Sequence, residues 1–477
     1  MNLNKTPSQL LCDFLKPKKS SLLVLKSMLA MKGVQIMWGL GVVSKFSSFL
    51  PSSVLHSLVR ESCQSHLYDW ESRPHSVSIT EFGAVGDGQT LNTHAFENAM
   101  FSLRSYADKG GAQLYIPKGT WLTGSISLIS HLTLFLERGA TILGSEDPND
   151  FPIIPALPSY GRGRELPGPR YSSLINGENL TDVVITGDNG TIDGQGLVWW
   201  TAFHNKSLGY TRGHLVELIN SKNILISNLT FQNSPFWTIH PVYCRNVVIK
   251  HMTILAPLHS PNTDGIDPDS CQHVCIEDCY IAGGDDGISI KSGWDEYGVS
   301  FGRPSSHIQI RRIITDSHSS SGISFGSEMS GGISDVKVED MVIYNHLFGI
   351  RLKTAVGRGG YIANVSISNV VMHSVRTGIA IMGNYGEHPD DHWDREAYPL
   401  INRVTIKNVV GENITHAGLL SGISERPFHD IRLINIALDV TSDSAWNCSA
   451  VSGSYYFVLP KPCADLEQKG VQEESEE

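Results

Sequence analysis

The chain has 477 residues, 41% of them hydrophobic and only 8% aromatic, with 45 glycines and a formal net charge of −11. That acidic balance excludes a surface built to grip nucleic acid, which needs a basic face. It also means that an anionic substrate must be met by a local cluster of Lys and Arg rather than by the field of the whole molecule. Length alone allows two or three compact domains or one elongated solenoid.

The N-terminus carries Lys16, Lys18 and Lys19, then Leu22-Leu23-Val24-Leu25, then a second apolar run from Gly33 to Val43. The second run is too short to span a bilayer and suits the apolar region of a secretory signal, although no A-x-A cleavage site follows. A signal anchor is the alternative. Residues 1–75 therefore read as a poorly ordered leader on a secreted protein, with no stable membrane partner expected.

From Ser76 the chain reads as folded. Phe82-Gly83-Ala84-Val85-Gly86-Asp87-Gly88 is a glycine-rich turn. Thr93 follows as the expected cap of a short helix whose Phe96, Ala99, Met100 and Leu103 share one face. No βαβ alternation follows, so the glycines do not make a nucleotide loop. The chain turns instead to short strands, Gln113 to Pro117, Gly119 to Gly124 and Leu132 to Leu136.

From Asp182 onward one phrase recurs, a polar residue followed by apolar-x-apolar. It is DVVI at Asp182, NILI at Asn223, NVVI at Asn246, HVCI at His273, HIQI at His307, DVKV at Asp335, NVSI at Asn364, RVTI at Arg403 and DIRL at Asp430. Neighbouring copies are mostly about 23 to 30 residues apart, a spacing that signals stacked repeats. One copy cannot bury its apolar side alone, but stacked copies make a continuous core. Short, regular strands without long amphipathic helices between them predict an all-β fold, a single parallel β-helix over residues 76–445. Residues 446–477 read as a C-terminal segment ending in an acidic, disordered tail.

The eight cysteines include Cys271, Cys275 and Cys279 at even spacing, but the residues between them are strand-like and no His pair accompanies them, so no metal is expected. Cys448 and Cys463 can staple the C-terminal segment in an oxidising compartment.

Carboxylates concentrate in one stretch. Asp264 lies in Asn262-Thr263-Asp264, and Asp285 and Asp286 stand together about twenty residues later, each group at the end of a short apolar run. One solenoid repeat apart, these three stack as neighbours. Carboxylates that shift each other's pKa values are the equipment for splitting a glycosidic bond; ordinary turn chemistry is the competing explanation for Asp and Asn at such positions. Further on, Arg351 and Lys353 alternate on a strand and so share a face. That pairing suits a substrate carboxylate, with Arg offering a bidentate fork. Lys291 shares the strand parity of Asp285 and is expected to line the same groove as a substrate-binding residue. His346 and the pair Arg311-Arg312 read as surface charge.

These residues bring out a resemblance. Asn262-Thr263-Asp264, Gly284-Asp285-Asp286 and Arg351-Leu352-Lys353-Thr354, in that order and spacing, resemble the motifs of polygalacturonases, glycoside hydrolase family 28, plant type. The resemblance runs from Phe82-Gly83-Ala84 to the C-terminal strands, and the right-handed parallel β-helix it implies agrees with the repeat. It implies hydrolysis of α-1,4-galacturonosyl linkages of pectin by inversion, without a cofactor, in a secreted, cell-wall, monomeric enzyme. It further implies Asp285 as the general acid, Asp264 and Asp286 as the activators of water, and Tyr385 as a substrate-binding residue beside Arg351 and Lys353. One motif departs. Where the family carries Gly-His-Gly-Ile, this chain has Ser320-Ser321-Gly322-Ile323, with Ser321 at the histidine's position. A carboxylate cluster without that imidazole is expected to need a higher pH to ionise. The competing readings are a rhamnogalacturonan- or xylogalacturonan-type hydrolase, a β-helix lyase using Ca²⁺, and a non-catalytic carbohydrate-binding β-helix.

Overall fold

The structure, a computed structural model, describes residues 72–469; the expected leader up to residue 71 and the last eight residues of the acidic tail lie outside the described residues. The repeat phrase has a physical cause that the structure displays. Its leading polar residue is a corner. Asp182, Asn223, Asn246, His273, His307, Asp335, Asn364, Arg403 and Asp430 all adopt left-handed backbone conformations, with φ between 51° and 61°. Asn, Asp and His tolerate that region better than other non-glycine residues, so the chain bends there and the apolar-x-apolar residues that follow point into the core. Corner side chains also bond from coil to coil, as in Asn246 to Asn223 at 2.9 Å and Asn364 to Asp335 at 3.0 Å.

The strands between corners stack in parallel, and the only antiparallel ladder among the described residues is the two-residue pairing of Ile153–Ile154 with Arg170–Tyr171. In-register stacking places like on like. Val274, Ile308, Val336, Val365, Val404 and Ile431 form one internal column. Ile239, Ile266, Ile288, Ile323, Ile350 and Ile379 form another on a second face. All of them are essentially fully buried. Truncating one of these isoleucines to alanine leaves a cavity that costs about 2–5 kcal/mol. The fold is thus the parallel β-helix that the repeat predicts.

The first helix, α1, spans Thr93–Leu103 and buries Ala95, Phe96, Ala99, Met100 and Leu103 against the first coils. Its N-cap is Asn92 rather than Thr93. The Asn92 side chain bonds Val85 and the Leu122 carbonyl, while the Thr93 hydroxyl accepts the Gly124 N–H. Parallel stacking continues past residue 445: Trp446–Ser449 pairs with His416–Ser421, and Val451–Leu459 with Phe428–Val440. Cys448 and Cys463 are joined by a disulfide across this last part. No helix among the described residues is long and apolar enough to cross a membrane.

Candidate active site

The face bearing the second isoleucine column also carries the chemistry: residues one position after each isoleucine alternate outward, and Asp264 and Asp286 come from the turns that lead into it. Two residues ahead of Ile266, Ile288, Ile323 and Ile350 stand Asp264, Asp286, Ser321 and Phe348, one above the other. One residue after the same isoleucines comes a second outward column, Asp267, Ser289, Ser324 and Arg351. Asp285 sits at the corner just before Asp286, in a Gly-Asp-Asp-Gly turn. Glycine is required there by close approach. A Cβ on Gly284 would lie 2.0 Å from the Ser260 carbonyl oxygen, and one on Gly287 would lie 2.6 Å from that of Gly322.

The stacking brings Asp264, Asp285 and Asp286 together, one carboxylate oxygen of each within 4.8 Å of the others. Their environments differ. Asp286 is buried, which favours its neutral form, but Lys353 donates to it at 2.7 Å, the Ser320 hydroxyl at 2.6 Å and the Ser321 N–H at 2.8 Å. These contacts hold it well below the usual carboxylate range. Burial, the Asp285 charge and then Asp267 push Asp264 far above that range. Asp285 is also raised, by burial and by Asp286 beside it, yet it remains partly exposed to the groove. Three acids this close cannot all ionise. Protonation therefore concentrates on Asp264 and Asp285, and the negative charge on Asp286.

Arg351 lies one strand position from this cluster, its guanidinium over the Phe348 ring at 4.1 Å and near the Tyr385 ring at 5.3 Å. Tyr385 follows the neighbouring strand and also stands 5.6 Å from the Lys353 ammonium. Arg351, Lys353 and Tyr385 thus meet beside the carboxylates. Lys291 points into the protein instead. Its ammonium is 3.1 Å from Glu328, 3.2 Å from Ser289 and 3.6 Å from Asp267, and 4.2 Å above the Trp237 ring. It belongs to the cluster as a buried counter-charge, with almost no surface open to the groove.

Several residues around the site went unnoticed in the sequence. Asp267 has both carboxylate oxygens buried without a hydrogen bond, and burial pushes its pKa up to about 7 against the pull of Lys291. Its signal was present only in part: Asp267 directly follows the inward Ile266 and so alternates outward, whereas Asp264 lies in the turn before that bridge. The Ser320 hydroxyl and Ser321 N–H serve Asp286, whereas the Ser321 hydroxyl is buried without a partner. His346 is a correction: it is not surface charge but a buried ring with both nitrogens unpartnered, its pKa lowered to about 4 by burial. Arg311 and Arg312 are likewise tied down, to Glu277 and Asp278.

Two side-chain groups on this face could offer three metal-ligating atoms, the aspartates and, upstream, His214, Glu217 and His240. Both are already engaged. Arg170 donates to both Glu217 oxygens at 2.7 and 2.6 Å, and Lys353 neutralises Asp286. A cation at either place would have to displace a buried ion pair.

Comparison with known proteins identifies the family. Residues 156–459 match the family model described as glycosyl hydrolases family 28. A "Probable polygalacturonase" of Vitis vinifera is 51% identical over 84% of this chain and 83% of its own length. "Polygalacturonase-2" of Solanum lycopersicum is 31% identical over 71% and 68%. Among solved structures, an exopolygalacturonase from Thermotoga maritima superposes with a TM-score of 0.72 and 29% identity, covering 82% of this chain and 92% of that one.

Proposed function

We propose, for a chain that belongs to glycosyl hydrolase family 28, hydrolysis of the α-1,4-galacturonosyl linkages of pectin by its three clustered carboxylates. The observation that carries this reading is the asymmetry of the cluster: one acid paired with Lys353 at 2.7 Å, two with no cation in contact among the described residues and pushed toward their neutral forms by burial and neighbouring carboxylates, and an Arg–Lys–Tyr wall beside them. Glycoside cleavage needs one proton donor at the leaving oxygen and one anionic group to activate water. Asp285 takes the first role, because burial and the Asp286 charge favour its protonated form and it reaches the groove. Asp286 takes the second, with Asp264 sharing the attacking water. Arg351 and Tyr385 hold the substrate carboxylate and ring, and a free donor of the Lys353 ammonium can serve the same carboxylate. Lys291 acts through the aspartates, steadying Asp267 and Glu328.

Compact spacing of the carboxylates would by itself suit a retaining pair. However, the Asp286 oxygens are taken up by Lys353, Ser320 and Ser321, which leaves them poorly suited to attack carbon and well suited to orient water. The reading is therefore inversion. No cofactor is needed for this chemistry. The protein would act as a secreted monomer on cell-wall pectin.

The test is product analysis on polygalacturonate, with and without chelator, and the anomer followed by NMR at early times. Saturated products of inverted configuration, unaffected by chelator, are expected. A retained anomer would overturn the roles of Asp264 and Asp286. A chelator-sensitive unsaturated product would make the protein a lyase, and no product on any pectin would make it a binding module.

A further inference from the structure

The groove face does not end at Arg351. The column that holds Asp286, Ser321 and Phe348 continues through Thr377 to His416, and the column of Arg351 continues through Ala380 and Leu419 to Asn447. Coils stack about 4.8 Å apart, so four coils carry the face roughly 19 Å beyond Asp286. Over that stretch lies a cavity lined by Phe348, Arg376, Thr377, His416, Leu419 and Asn447, among others. None of its lining residues is acidic. Arg376 is exposed at its edge and makes no ion pair among the described residues. The His416 side chain donates from Nδ1 to the Ser444 carbonyl at 3.1 Å. That contact requires the proton on Nδ1 and leaves Nε2 turned elsewhere. Phe348 is shared: its ring carries the Arg351 guanidinium and also forms the near wall of the cavity.

In a protein of net charge −11, an arginine outside any ion pair among the described residues and an imidazole beside an aromatic ring, in line with the carboxylate cluster, are a local exception. Their chemistry matches that of a polyuronide, which presents sugar faces to an aromatic ring and a carboxylate on each residue to a cation. We propose that this cavity is a distal binding subsite for the uronide chain, in which Arg376 takes a carboxylate of a sugar several residues from the scissile bond and Phe348 supports the chain between the two sites. The inference rests on the galacturonan reading above and extends it. The cleft then binds the chain over several sugars on the side of the later coils, and affinity rises with chain length.

The experiment compares Arg376→Gln and Arg376→Lys with the wild-type protein on digalacturonate, trigalacturonate and a longer oligogalacturonate. For Arg376→Gln the KM of the longer substrate should rise about tenfold, the order of one charge-assisted hydrogen bond. The effect should shrink as the chain shortens, kcat should hold, and Arg376→Lys should recover part of the loss. A KM that is unchanged at every length, or that rises equally at every length, overturns the subsite while leaving the galacturonan reading intact. A wild-type protein that cleaves no galacturonide overturns both.

Discussion

Replacing Lys353 with methionine removes the charge on which the carboxylate asymmetry depends. The ammonium lies 2.7 Å from an Asp286 oxygen, with the lysine side chain 8% exposed and the aspartate fully buried. Unit charges about 4 Å apart interact by about 4 kcal/mol at an effective dielectric of about 20, and each pKa unit corresponds to about 1.4 kcal/mol. Losing the ammonium therefore raises the Asp286 pKa by roughly two to three units, with burial no longer opposed. The sign for stability follows. In the wild-type protein the folded-state pKa is depressed, so the pair stabilises above the ordinary carboxylate range, and that contribution is lost only as pH falls through the depressed value. In the variant that depression is removed, so the contribution is lost, a deficit of about 3–4 kcal/mol by the same arithmetic that is full above the ordinary carboxylate range and shrinks on acidification. The assay is kcat/KM against pH on polygalacturonate, with melting followed over the same range. The acidic limb should move up by about two units, so that activity falls by up to about 10²-fold at pH values along the wild-type limb and is regained above the shifted limb. A folded variant with an unmoved limb and only a raised KM would refute the reasoning, because Lys353 would then serve the substrate and not Asp286.

Asp264→Asn, Asp285→Asn and Asp286→Asn should each lower kcat by about 10²–10⁴-fold. Melting should separate them: Asp285→Asn leaves Tm nearly unchanged, whereas Asp286→Asn lowers it by stranding Lys353. Arg351→Gln should weaken binding of polygalacturonate far more than of its methyl ester, measured by isothermal titration, since only the free acid offers a carboxylate to the fork. His346, with a pKa depressed from 6.5 to about 4, stays neutral in the folded state while the unfolded chain takes up a proton. Stability is thus lost as pH falls from 6.5 toward 4, by about 3 kcal/mol in all. Denaturant melts of His346→Gln should show a flatter profile over that window.

The repeat, the columns of buried aliphatics and the grouping of Asp264, Asp285 and Asp286 were legible in the sequence, each for a local reason. A left-handed corner selects Asn, Asp or His at its own position, and in-register parallel stacking turns sequence period directly into spatial neighbours. Period and alternation therefore placed Arg351 and Lys353 on one face and brought the three acids to one place. Parity alone could not say which way a long side chain turns once there. Lys291 and Lys353 occupy equivalent positions two coils apart, the first paired with Asp269 and the second continuing toward Met382. Glu328 and Asp267 draw one ammonium inward, and Asp286 captures the other. The same holds for the loops, where Arg164 pairs with Glu387 across 223 residues and with Glu328, contacts no repeat predicts. His346 makes the point most sharply. Its residue type suggested a solvated corner, but the stacked coils around it decided that it is buried, and burial in turn decided its charge. Sequence period determined which backbone positions meet, whereas the protonation of each group at those positions depends on desolvation and on charges from other coils, which exist only once the coils have stacked.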